Sequence, residues 1–273
     1  MQISVKCGRA KLPRIKSIMN EEMKMRVKQN TKLSAALLLA GTMALAGDHG
    51  AHWGYTGHNG PEHWGDISEK FRMCAIGMNQ SPINITASVD ADLPAIGFDY
   101  GTSPAEILNN GHTVQVNVEN GSSITVDGHK YALKQYHFHT PSENHIAGKD
   151  FPLEAHFVHA DDEGNLAVVG VMFEEGAENA ELAQLWAKMP MKEGEHNILD
   201  GEAKELTKLL PADHEYYRFN GSLTTPPCSE GVKWMVMKEP LSISKAQVEK
   251  FSHAVHGANN RPVQPLNARV IVE

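Results

Sequence analysis

Gln135-Tyr136-His137-Phe138-His139 and, further along, Leu153-Glu154-Ala155-His156-Phe157-Val158-His159 decide how the rest of the chain is read. Side chains of an extended strand alternate between two faces, so Gln135, His137 and His139 share one face while Tyr136 and Phe138 share the other. The second run places Glu154, His156 and Val158 on one face and Ala155, Phe157 and His159 on the opposite one. If the two runs pair as antiparallel neighbours, His137, His139 and His156 converge. Three neutral imidazoles are the ligand set of a catalytic zinc site, whose fourth tetrahedral position stays open to water or substrate; a structural site would close it. Metal-bound imidazoles usually give their second N–H to a carboxylate or carbonyl, and Gln135 and Glu154 stand where such partners belong. The residues alone leave open a second reading, a structural imidazole cluster in a chain that holds 15 histidines.

Around these runs the composition is that of a globular protein with ample core: 273 residues, 41% hydrophobic, with glycines and prolines scattered rather than clustered. The net charge of -8 hides an asymmetry. Nine of the 25 Lys/Arg but only two of the 33 Asp/Glu fall in residues 1–46, leaving 16 basic and 31 acidic residues, or -15, for residues 47–273. Binding to a phosphate backbone needs a basic stripe, and none survives in that acidic part, so no nucleic-acid partner is expected. Residues 1–46 read as a leader with a secretory signal peptide: Lys24, Arg26, Lys28 and Lys32 precede the apolar run Leu33 to Ala46, which ends in the small-x-small site Ala44-Leu45-Ala46. Cleavage is expected after Ala46, with Met1, Met19, Met23 or Met25 as the start. The apolar run is too short for a stable membrane span. Periplasmic or secreted residence would let Cys74 and Cys228, the two cysteines beyond the leader, form one disulfide, with a pair of free thiols as the alternative.

From Phe98 onward short runs are separated by turn signals at Asn109-Asn110-Gly111, Glu119-Asn120-Gly121 and Asp127-Gly128. Strands are expected over 112–119, 124–126, 131–139, 153–159, 166–173, 232–237 and 263–272, with 153–159 and 166–173 central. Helices are expected over 178–189, 204–210 and, behind a serine cap, 244–252. Residues 47–65 read as an extended arm anchored by Trp53, Tyr55 and Trp64. No linker or repeat divides residues 47–273, so the fold class is mainly β: a single domain built on a large, mostly antiparallel twisted sheet with short peripheral helices.

The chain also carries His52-Trp53-Gly54-Tyr55, Gly60-Pro61-Glu62-His63-Trp64, Gln80-Ser81-Pro82, Asn110-Gly111-His112, Ser222-Leu223-Thr224-Thr225-Pro226-Pro227-Cys228 and Asn260-Arg261-Pro262-Val263-Gln264-Pro265-Leu266. With the His-Phe-His and Glu-x-His runs, these motifs in this order resemble an α-class carbonic anhydrase of the bacterial, exported type. The resemblance spans nearly all of 47–273 and implies Zn2+ held by His137, His139 and His156 at the bottom of a conical cavity. It implies reversible hydration of carbon dioxide to bicarbonate and a proton by a zinc-bound hydroxide. Thr224 and Glu143 would orient that hydroxide, and His112 would shuttle the proton. Val158, Val168, Leu223, Val232 and Trp234 would form the apolar wall that receives carbon dioxide, and Cys74 would pair with Cys228. A silent binding module or an ester hydrolase are the rival readings. A monomer and a homodimer are both compatible with the sequence.

Overall fold

The computed structural model describes residues 51–101, 105–200 and 205–273. The expected leader and its cleavage site lie outside the described residues. Thirteen strands are described: β1 (Asn84–Ile85), β2 (Gly97–Asp99), β3 (Ala105–Asn109), β4 (Val114–Val118), β5 (Ser123–Val126), β6 (His129–His139), β7 (His145–Ile146), β8 (Leu153–Ala160), β9 (Leu166–Glu175), β10 (His196–Leu199), β11 (Tyr216–Ser222), β12 (Glu230–Met237) and β13 (Leu241–Ile243). Eleven of them form one sheet. Its main order is β10-β3-β4-β6-β8-β9-β12-β11, with β5 and β2 continuing from β6 and β13 from β9. The pairings of β12 and β13 with β9 are parallel and the others in this sheet antiparallel, so the expected mainly-β, mostly antiparallel architecture holds. β8 and β9 are buried along almost their whole length, as apolar runs covered on both faces must be.

Alternation sorts the core into two clusters, one per face. Tyr136, Phe138, Ala155, Phe157, Val169 and Val171 join one cluster, and Val168, Met172, Phe219, Val232, Trp234 and Val236 join the other. Two helices close the first. Ala180–Lys188 is capped by Asn179, whose side chain accepts from the backbone N–H groups of Glu181 and Leu182, and it buries Leu182, Leu185 and Trp186. Lys245–Ala254 starts in a Ser244/Gln247 capping box and buries Phe251 and Ala254. Trp186 and Phe251 meet the ring of Phe138 at centroid distances of 5.0 and 6.0 Å. The aromatic side of β6 is thereby clamped, which fixes the direction of His137 and His139 on its other side.

The structure corrects several expected elements. Residues 263–272 form no strand; Val272 alone makes isolated bridges, to Val89 and Arg218. Pro262 and Pro265 remove donors from this stretch, Asn267 takes a positive φ of 54°, and Arg269 caps the carbonyls of Leu266, Pro265 and Asn220. The helix expected over 204–210 shrinks to one 3-10 turn, Leu206–Leu209, with Lys204 outside the described residues. The N-terminal arm is partly helical, with turns at Gly57–Asn59 and Trp64–Ile67, although Trp53, Tyr55 and Trp64 do pack edge to face at 5.2 to 5.8 Å. Strands β2, β3, β7, β10, β11 and β13 were not expected. No helix among the described residues is long and apolar enough to cross a membrane. Cys74 and Cys228 form a disulfide across 154 residues, with Cα atoms 5.0 Å apart.

Candidate metal centre

β6 and β8 pair antiparallel with His137 opposite His156 and His139 opposite Glu154. The register therefore brings the three imidazoles together: one ligating nitrogen from each of His137, His139 and His156 lies within 4.8 Å of the other two. Short contacts to protein oxygens decide which nitrogens those are. His137 Nδ1 is 2.8 Å from Gln135 Oε1, and His139 Nδ1 is 2.7 Å from the carbonyl oxygen of Asn259, so both rings present Nε2. His156 is turned the other way: its Nε2 lies 2.9 Å from Glu154 Oε1, a close charge contact outside hydrogen-bond geometry, and its Nδ1 lies 3.9 Å from Glu143 Oε2. His139 Nε2 is buried without a hydrogen-bond partner, the kind of orphan a metal ion would satisfy. Burial and then the neighbouring imidazoles hold His137 well below the usual histidine range, and burial lowers His139. Neutral imidazole is the ligating form, and the residues present fit a metal ion.

Glu154 is tied down on all sides. Its Oε2 accepts from the backbone N–H groups of Glu143 and Asn144 at 2.8 and 2.9 Å, and its Oε1 accepts from Asn144 Nδ2 at 2.8 Å. Burial alone would raise its pKa, but the charge and close contact of His156 and the Asn144 donors leave it below the usual carboxylate range. Gly170, opposite His156 on β9, leaves room for it, since a Cβ there would stand 3.0 Å from Glu154 Oε1. Glu143 is buried too. Its Oε1 accepts from the backbone N–H of Arg261 at 2.8 Å, while Oε2 has no partner and lies 3.5 Å from His139 Nε2. Burial pushes Glu143 up to about 7, against the pull of His156, the Arg261 N–H and the Thr224 hydroxyl. Thr224 is itself buried beside it.

A cleft of about 120 Å³ runs over His137 and His139 and is lined also by Trp53, Tyr55, Gln135 and His112. The Asn110 side chain sets His112 by accepting the backbone N–H groups of His112 and Thr113 at 3.0 and 2.9 Å. The His112 ring stacks on Trp53 at 3.7 Å between centroids, with planes 6° apart. Burial lowers its pKa, His52 adds to this and Glu193 opposes it. The five residues of the expected apolar wall also share one region. Val158 faces Val168 across β8 and β9, and Val168 faces Trp234 on β12, whose ring lies 4.9 Å from that of His156. Val158 and Leu223 keep part of their surface open, while Val168, Val232 and Trp234 are buried behind them.

Some partners carry no sequence signal. The carbonyl of Asn259 holds His139, and the Asn259 side chain donates to the carbonyls of His112 and Phe138 and accepts from the Thr140 N–H. Asn144 braces Glu154. Both lie in loops, and only the neighbouring motif Asn260-Arg261-Pro262 marks the first.

Residues 59–273 match the family model described as eukaryotic-type carbonic anhydrase. A carbonic anhydrase of Neisseria gonorrhoeae is 53% identical over 245 residues, covering 89% of this chain and 96% of its own length. One from Klebsiella pneumoniae is 49% identical, covering 89% and 99%. Among solved structures, the α-carbonic anhydrase from Thermovibrio ammonificans in complex with sulfanilamide superimposes with a TM-score of 0.80 at 50% identity, over 82% of this chain and all of that one. With the strand register, the imidazole cluster and these matches in agreement, the chain belongs to the eukaryotic-type, or α, carbonic anhydrase family.

Proposed function

We propose that the chain is a zinc-dependent carbonic anhydrase that interconverts carbon dioxide and water with bicarbonate and a proton. The observation that carries this reading is the set of three imidazoles, each with one nitrogen engaged by protein and the other turned to a common point. Three nitrogen donors with an open fourth position suit zinc, which acidifies a bound water so that hydroxide is available near neutral pH. Gln135, the Asn259 carbonyl and Glu154 hold the rings of His137, His139 and His156 in place.

Thr224 and Glu143 supply direction. A threonine whose hydrogen is given to a carboxylate has only lone pairs left to offer, so it accepts a hydrogen bond from the nucleophile and aims it. Val158 and Leu223, backed by Val168, Val232 and Trp234, offer carbon dioxide a dry surface beside that nucleophile. A small apolar substrate needs placement more than binding energy. His112, on the cleft wall, passes the proton to buffer; its lowered pKa favours the release half of that relay.

Export completes the reading: removal of residues 1–46 would deliver the chain to the periplasm or beyond, and the Cys74–Cys228 disulfide supports an oxidising compartment. The test is the rate of acidification on mixing carbon dioxide with the purified protein, before and after zinc removal and after zinc is restored. Activity that vanishes and returns supports the proposal. A folded, zinc-loaded protein without activity refutes it.

A further inference from the structure

Arg261 lies outside both the imidazole cluster and the cleft, yet the fold takes unusual trouble to bury it. It is 2% exposed, its Nε has no hydrogen-bond partner, and its guanidinium sits 5.6 Å from the ring of Trp64. Burial lowers it to about 10, so it stays charged at neutral pH. Stability alone is a weak reason to keep an incompletely satisfied cation inside a protein. Its contacts suggest a better one. Nη1 donates to Gln80 Oε1 at 2.9 Å and to the Ser81 carbonyl at 2.8 Å, and Nη2 donates to the carbonyl of Cys74 at 3.1 Å. Gln80 Nε2 in turn donates to the carbonyl of Cys228 at 3.0 Å. Both halves of the disulfide are thus tied to one guanidinium.

The other end of the same residue reaches the site. The Arg261 backbone N–H holds Glu143 Oε1, and two residues earlier the Asn259 carbonyl holds His139. We infer that Arg261 is a positioning residue, a brace that transmits the rigidity of the Cys74–Cys228 linkage through Gln80 to Glu143. The inference rests on the orienting role proposed above for Glu143. Cutting the brace frees the Arg261 N–H to shift, and Glu143 loses the bond that fixes one oxygen and keeps the other toward the cluster. A displacement of about 1 Å at such a group is enough to cost roughly 100-fold in rate.

The experiment compares the full chain as wild type, as Gln80→Leu and as Arg261→Lys, each oxidised and after disulfide reduction. In metal-free protein, amide exchange at Arg261 is expected to speed up about tenfold or more in Gln80→Leu and on reduction of the wild type, while exchange at Val169 in the sheet centre stays unchanged. In zinc-loaded protein, kcat/KM for hydration should fall about tenfold in both variants with zinc content retained. Reduction should cost Gln80→Leu less than it costs the wild type, because the limb from Arg261 to Cys228 is already gone while the direct bond to the Cys74 carbonyl remains. Arg261→Lys gives the same reading should Gln80→Leu fail to fold. Unchanged Arg261 exchange in a folded variant, or reduction costing variant and wild type equally, overturns the brace. Glu143→Gln separates the two ideas: an unimpaired kcat/KM in that variant overturns the role of Glu143, while Arg261 exchange still judges the brace.

Discussion

His156 and His159 stand three residues apart on β8, both buried, on opposite faces of the same sheet. His159 is satisfied at both ends: Nδ1 donates to the Ala167 carbonyl at 3.2 Å, and Nε2 accepts from the Tyr100 hydroxyl at 2.9 Å. His156 has one nitrogen against Glu154 and the other turned toward His137 and His139. Residue type and burial do not separate a ligand from a core histidine. What separates them is whether the fold leaves a nitrogen free, and whether it frees others at the same point.

The largest effect expected from breaking this contrast is at the ligands. His139→Ala should abolish stoichiometric zinc binding and hydration while the fold persists, as zinc analysis and far-UV dichroism would show. Retained stoichiometric zinc would argue for a different donor set. Next comes the support of His156: Glu154→Gln keeps the shape but loses the charge, and zinc affinity should fall by about 10- to 100-fold in a competition titration with a chelator. A smaller effect, confined to one step, is expected at the cleft. His112→Ala should lower turnover in weak buffer by roughly tenfold or more, leave kcat/KM unchanged, and recover with added imidazole.

The least effect on zinc and activity is expected at His159, where the consequence is acid stability instead. Burial lowers its pKa to about 4, opposed by its hydrogen bonds to the carbonyls of Ala167 and Phe157. In the unfolded chain it binds a proton near pH 6.5, so its neutral burial contributes stability above that pH. The contribution is lost as pH falls through the window from about 6.5 to 4, by about 3 kcal/mol in all. His159→Gln should flatten that part of the stability-against-pH curve in urea titrations. An unchanged slope would mean the residue is not buried neutral.

Much of this contrast was legible in the sequence, and the reason is periodicity. Alternation in 135–139 and 153–159 assigns His137, His139 and His156 to one face and His159 to the other, and it marks Gln135 and Glu154 as partners. A serine cap announced one helix: Ser244 and Gln247 form the box that starts it. What stayed hidden is carried by backbone groups and by burial in loops. The acceptor for His139 is a carbonyl, which any residue supplies, and Arg261 belongs to a residue type seldom buried. β10 has a single buried side chain, Leu199, and so little pattern to read, whereas Val270-Ile271-Val272 looks like a strand until the prolines before it are given their weight.

The most direct test of the account is zinc-edge anomalous diffraction from crystals of the zinc-loaded protein. The account predicts one peak, with Nε2 of His137, Nε2 of His139 and Nδ1 of His156 at about 2.0–2.1 Å and a single non-protein oxygen in the fourth position. A peak elsewhere, a fourth protein donor, or a His156 ring turned to present Nε2 would contradict it.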